Sequence, residues 1–262
     1  DIVVIDPGPT LDTHRDALAA ALAGERVRAI LVTHCHSDHS PLAAWLRDET
    51  GAPTIAFGPH PRPDPATEPV EPLDDDVQIE ESTDYDFRPD VYAGDGDIVV
   101  DGGGVTMTAV HTPGHTSNHT CFALAEEGAL FTGDHVMGWS TTVVSPPDGD
   151  MAAYIDSLRR VAERDDAVLW PTHGPPRDDA RTYVTALIEH RLERERGVLE
   201  QVRAGRTTIP EMVEVLYADV RPELHRPAGR SVWAHLECLV DAGRVEVDGG
   251  TAPTLDATYR AV

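Results

Sequence analysis

The sequence predicts an α+β protein in two parts, and three observations predict it. Across the first two thirds, short apolar runs end in histidine or aspartate beside glycine or proline. After His173 the pattern changes to helical periodicity with recognisable helix stops, closing on a short hairpin. The composition, 40% hydrophobic and 26% charged over 262 residues, is that of a globular chain able to bury a sizeable core. The division falls between residues 1–177 and 178–262.

Ile2 to Ile5 opens the chain as a strand and runs into Asp6-Pro7-Gly8. Val27 to Val32 is a second apolar strand, and it leads directly into Thr33-His34-Cys35-His36-Ser37-Asp38-His39. Imidazoles and a carboxylate at the end of a buried strand are costly to desolvate, and a divalent metal is the usual compensation. The alternative is a polar loop that happens to be rich in histidine. Alternation points His34 and His36 the same way and Cys35 the other way, which makes Cys35 a small buried residue rather than a ligand. Asp38 and His39 follow where the chain turns into a helix, so two ligand sets can face two neighbouring ions.

More ligands are expected from other strand ends. His115 follows the run Val105 to Val110, Asp134 follows Ala129-Leu130, and His173 follows Ala167 to Trp170. Gly114, Gly133 and Gly174 beside them allow sharp turns and close backbone approach. His111, His119 and His135 flank these positions and either orient a ligand or simply pack. His14 and His60 are expected on the surface, and no metal is expected at His190, His225 or His235.

This constellation resembles the metallo-beta-lactamase superfamily: His34, His36, Asp38 and His39 fit its H-x-H-x-D-H element, followed by a lone His115, Asp134 and a final His173. Asp6-Pro7-Gly8 looks like its opening Asp-x-Gly element. The resemblance covers about the first two thirds of the chain and implies a four-layer αββα sandwich with a two-metal site at one edge. The metal it implies is zinc, with iron or manganese as alternatives that a motif cannot separate. By the same resemblance His34, His36 and His115 hold the first ion, Asp38, His39 and His173 hold the second, and Asp134 bridges them. Two cations about 3.5–4 Å apart bridge a water and lower its pKa from about 16 toward about 7, which supplies a hydroxide nucleophile at neutral pH. Asp38 would orient it or accept its proton, which makes Asp38 and Asp134 the catalytic residues.

The C-terminal part predicts helices over Asp178 to Ala204, from Thr208 to about Tyr217, and over Ala228 to Asp241. Pro210 suits an early helical position, and Gly205 and Gly243 make stops. Arg244 to Val247, the Gly249-Gly250 turn and Ala257 to Val262 then complete a winged-helix pattern. A winged helix after this catalytic domain resembles the lactamase-beta-like hydrolases, a branch that includes a single-strand endoribonuclease and metal-dependent thioesterases of polyketide pathways. His190-Arg191 and Arg194-Glu195-Arg196 fit that branch.

Charge narrows the substrate. The formal net charge is −25 and every basic residue is arginine; residues 1–177 carry 10 Arg against 31 Asp plus Glu, residues 178–262 carry 11 against 15. A polyanion approaching the catalytic part is repelled, which disfavours nucleic acid without excluding it, since metals neutralise the site locally. The third C-terminal helix carries Glu237 and Asp241 with only Arg230 near its start, so a substrate wall or dimer packing suits it better than DNA binding. A small thioester, ester or lactone is therefore the expected substrate. The alternatives are a phosphodiesterase or endoribonuclease acting on single-stranded RNA, a beta-lactamase or glyoxalase-type hydrolase, an iron dioxygenase, and a non-enzymatic DNA-binding or scaffolding protein. No apolar run is long enough for a membrane span. Three cysteines far apart form no disulfide framework, which points to the cytoplasm. The acidic, proline-containing segment Asp64 to Asp90 is expected to be an irregular loop or lid.

Overall fold

The computed structural model describes residues 1–62, 82–250 and 252–262. Residues 64–81 of the expected acidic lid lie outside the described residues.

The first sheet contains β1 (Ile2–Ile5), β2 (Val27–Leu31), β3 (Thr54–Ala56) and β4 (Val91–Tyr92), in that order and all parallel. A parallel sheet is covered on both faces, which is why β2 reads as a nearly unbroken apolar run. Ile30 and Val32 pack on one side with Ala43 and Leu46 of α2 (Ala43–Thr50) and Leu18 of α1 (Asp12–Ala21). Ala29 and Leu31 face the other way, toward Val100, Met107, Ala109 and Phe122 of the second sheet. Each of these buried side chains stabilises the fold by roughly 1.5–3 kcal/mol when large.

The second sheet contains β5 (Ile98–Gly102), β6 (Val105–His111), β7 (Thr120–Leu124), β8 (Ala129–Gly133) and β9 (Val168–Pro171) in sequence order. Its pairings are antiparallel as far as β8, and β8 to β9 is parallel. The parallel pair requires a crossover, supplied by α3 (Met151–Ala162). Val110, Cys121, Leu130 and Leu169 turn outward against α3 and against Val184 and Leu187 of α4 (Ala180–Arg203). Helix, sheet, sheet and helix form the four layers. Because β6 and β8 run the same way, as do β8 and β9, their C-terminal ends meet at one edge.

The later part of α4 leaves this core for a second one. Val198, Leu199 and Val202 pack with Met212 of α5 (Ile209–Leu216), with Val232 and Leu236 of α6 (His225–Asp241), and with the hairpin β10 (Val245–Val247) and β11 (Tyr259–Ala261). A reciprocal capping box between Thr208 and Glu211 starts α5, with Pro210 in its first turn. α6 begins three residues before the expected Ala228, because a 3-10 turn over Pro222–Leu224 feeds it and Pro227 in its first turn needs no amide donor. No helix among the described residues is long and apolar enough to cross a membrane.

Candidate metal centre

Four loops at the shared edge bring the candidate ligands together. The loop after β2 bends at Thr33, carries His34 and Cys35 to a bridge between His36 and Thr83, turns at Asp38 and His39, and reaches α2 only at Ala43. The ends of β6, β8 and β9 deliver His115, Asp134 and His173. Three overlapping groups have ligating atoms within 4.8 Å of one another: His34, His36 and His115; His34, His39 and Asp134; Asp38, His39 and His173. His115 Nε2 lies 3.1 Å from His36 Nδ1, and His173 Nε2 lies 3.0 Å from Asp38 Oδ2. Asp134 sits between, its Oδ1 3.4 Å from His39 Nε2 and 3.6 Å from His173 Nε2, its Oδ2 4.0 Å from His115 Nε2.

Backing groups fix which nitrogen faces the cluster. Asp6 Oδ2 lies 2.9 Å from His39 Nδ1 and also accepts from Thr172 Oγ1 at 3.2 Å and Thr33 Oγ1 at 2.8 Å. Asp6 thus ties the ends of β1, β2 and β9, and it does so at φ 50°, a left-handed conformation that aspartate tolerates better than most residues. His115 Nδ1 donates to Val143 O at 2.6 Å, and His34 Nδ1 lies 3.0 Å from Thr33 Oγ1. Outer-shell contacts of this kind orient metal-binding imidazoles. Gly133 is required here, since a Cβ at φ 50° would stand 2.7 Å from Thr33 Oγ1 and 2.8 Å from His119 Nε2.

Electrostatics match a cation site. Burial, reinforced by the rings of His39, His36 and His115, pushes His34 well below the usual histidine range; burial with His115 and His39 does the same to His36. Both are neutral donors at pH 7. Burial opposes the charge on His39, but Asp6 and Asp134 outweigh it and raise its pKa well above the usual range. The hydrogen bond to Asp38 raises His173. Burial would raise Asp38 and Asp134, yet the hydrogen bond from His173 and the charge of His39 keep Asp38 ionised, and the charge of His39 keeps Asp134 so. His34 Nε2, His39 Nε2, Asp38 Oδ1 and Asp134 Oδ1 are buried without a hydrogen-bond partner. Four orphaned ligating atoms, all on members of these three groups, fit divalent cations that would complete their contacts.

The flanking histidines separate. His119 accepts from the Asp134 backbone amide at 3.2 Å and lies 2.9 Å from Thr112 Oγ1, so it supports the Asp134 turn. His111 stacks on Phe57 at 3.8 Å, away from the ligands. His135 is fully buried, its ring 5.1 Å from that of Tyr154. Cys35 turns away toward Asn118 Nδ2 at 3.1 Å, and burial pushes its thiol up to about 11.

His60 corrects the sequence expectation. It is buried rather than on the surface, because its proline-flanked loop folds over the site: its ring lies 6.4 Å from that of His36 and its Nε2 3.5 Å from Asp148 Oδ2. Asp148, missed in the sequence, also accepts from Ser117 N at 2.9 Å and Ser117 Oγ at 2.6 Å, and so holds the loop that carries His115. The turn Pro147-Asp148-Gly149 was its only local signal. His14 is exposed as expected, whereas His235 is buried.

The metallo-beta-lactamase superfamily profile matches residues 1–173, and that of the beta-lactamase associated winged helix domain matches residues 208–252. The chain belongs to the metallo-beta-lactamase superfamily. It is 30% identical over 242 residues to an atrochrysone carboxyl ACP thioesterase of Aspergillus chevalieri, across 86% of this chain and 67% of that protein. It is 36% identical over 137 residues to the lactamase-like protein adaB of Aspergillus niger, across 47% of this chain and 42% of that protein, so it spans less than half of adaB. A metallo-beta-lactamase family protein of Thermus thermophilus shares the fold at TM-score 0.75 and 23% identity, over 99% of this chain and 89% of that one. A beta-lactamase domain protein of Burkholderia ambifaria does so at TM-score 0.76 and 23% identity, over 99% and 82%.

Proposed function

We propose that the protein is a two-cation, zinc-dependent hydrolase of small acyl thioesters. His34, His36 and His115 would hold one cation, Asp38, His39 and His173 the other, with Asp134 shared. The observation that carries this reading is that four buried ligand atoms without a hydrogen-bond partner belong to residues of the three overlapping groups. The thioester class is supported by the thioesterase relative at 30% identity. The net charge of −25 favours a small acyl substrate over a polyanion.

When bound, the cations supply Lewis-acid activation of water and of the acyl carbonyl. Asp38, kept ionised, orients the attacking water and takes its proton at the carboxylate. The C–O bond forms and the C–S bond breaks, giving a carboxylic acid and a thiol. A thiolate leaves readily because its conjugate acid has a pKa of about 8.5, so the thiol side needs no strong acid from the chain.

The site opens on one side. Asp38 and His173 have side chains 21% and 20% exposed, whereas His34, His36 and His115 are buried. Trp139 lies on this rim: Gly138 N donates to His173 O at 2.8 Å, and a Cβ on Gly174 would touch the Trp139 amide at 2.9 Å. The residue is 72% exposed, on a stretch, residues 135–147, without one acidic or basic side chain apart from His135. We assign Trp139 to the apolar part of the acyl group.

The test is hydrolysis by the zinc-loaded chain of an acyl thioester and, in parallel, of a fluorescent single-stranded RNA, each against His36→Ala. Thioester turnover lost in the variant is expected. RNA cleavage lost in it, with no thioester turnover, would replace this function with a ribonuclease.

A further inference from the structure

We propose that Arg191, on α4 and outside the ligand loops, is a positioning residue for His115 and Asp134. The inference rests on the reading above, in which both are metal ligands.

Arg191 is buried, and among the described residues it forms no salt bridge to a carboxylate. Its Nη2 donates to Thr142 O, its guanidinium carbon lies 5.4 Å from the centre of the Tyr154 ring, and its Nε has no partner. A buried guanidinium without a counter-charge is a costly choice for simple packing, so what it holds is informative.

It holds a two-residue segment with both ligands attached. Thr142 Oγ1 donates to Asp134 O at 2.7 Å and lies 3.2 Å from His135 O, closing the turn that carries Asp134. The next carbonyl, Val143 O, accepts from His115 Nδ1 at 2.6 Å and sets the direction of that ring. Tyr154, against which Arg191 lies, donates its hydroxyl to His135 O at 3.0 Å and packs its backbone on Gly114, beside His115. A single cation therefore fixes the peptide between two side chains that reach the site from different strands. Tyr183, two turns earlier on α4, donates to Met137 O at 2.8 Å and tethers the same loop away from the 142–143 segment.

The probe is the metal alone, on the full chain. Zinc affinity is measured by competition with a chromogenic chelator, and ligand geometry by the visible spectrum of the cobalt(II)-loaded protein. Arg191→Met is expected to weaken zinc binding by about tenfold or more and to alter the cobalt spectrum. Arg191→Lys should recover part of both. Tyr183→Phe, which removes one hydrogen bond of the same loop, should change neither. Should Arg191→Met not fold, Thr142→Val carries the test, since it removes only the hydroxyl that reaches Asp134 O and is expected to shift the cobalt spectrum. Wild-type affinity and spectrum in Arg191→Met, or in Thr142→Val where that variant stands in, would overturn the proposal while leaving the metal reading intact. A wild-type chain that binds no zinc or cobalt would overturn both.

Discussion

Asp6 Oδ2 lies 2.9 Å from His39 Nδ1, and this contact turns His39 Nε2 toward Asp38 and Asp134. One carboxylate at the end of the first strand thereby selects the nitrogen that a loop of the second strand presents to a cation. Asp6→Asn removes the charge while keeping the shape. Zinc affinity is expected to fall roughly 10–100-fold, measured by chelator competition; affinity equal to wild type would show that the contact does not support the site.

Gly114 adopts φ 138°, and a Cβ there would stand 2.3 Å from Tyr154 Cα, a backbone atom that cannot step aside. Gly114→Ala should destabilise the protein by about 1–3 kcal/mol and displace His115. Urea unfolding gives the first quantity and bound zinc the second; an unchanged unfolding midpoint would contradict the packing.

Trp139→Ala should lower kcat/KM for thioesters with long apolar acyl groups about tenfold, equivalent to about 1.4 kcal/mol of lost burial. Acetyl thioesters and metal content should be unaffected. A uniform loss across acyl lengths would remove Trp139 from the acyl contact.

Glu237 on α6 is raised from 4.5 to about 7, chiefly by burial and then by Asp150 at the start of α3 and Asp241. Between these two values the folded protein keeps a proton that the unfolded chain has released, so stability falls as pH rises through about 4.5 to 7. Glu237→Gln should flatten this part of the profile and gain about 1–2 kcal/mol at pH 8, the larger formal value being reduced by partial exposure. Thermal unfolding at pH 5 and pH 8 measures it; equal pH dependence in variant and wild type would place the titration elsewhere.

The candidate ligands were legible because each follows an apolar strand within a few residues, so strand end and ligand are read in one window. The winged helix was legible through Pro210, Gly205 and the apolar face of α6. What sequence hid is what depends on contacts between distant segments. His60 looked exposed between Pro59 and Pro61, but its burial comes from Asp148 and the His36 loop. Asp6 could be matched to a motif, yet its bond to His39 exists only once β1 and β2 lie side by side. Arg191 showed only as part of the His190-Arg191 match to the winged-helix branch, since the carbonyl it holds lies 49 residues earlier in the chain.

The measurement that tests the central claim most directly is metal content of the chain and of Asp134→Ala, each stripped, reloaded with zinc and dialysed, with circular dichroism as the check on folding. Two equivalents in the wild type, falling to one or none in a folded and inactive Asp134→Ala, is the predicted result. Two equivalents and full thioester turnover in Asp134→Ala would contradict a centre in which Asp134 joins two cations.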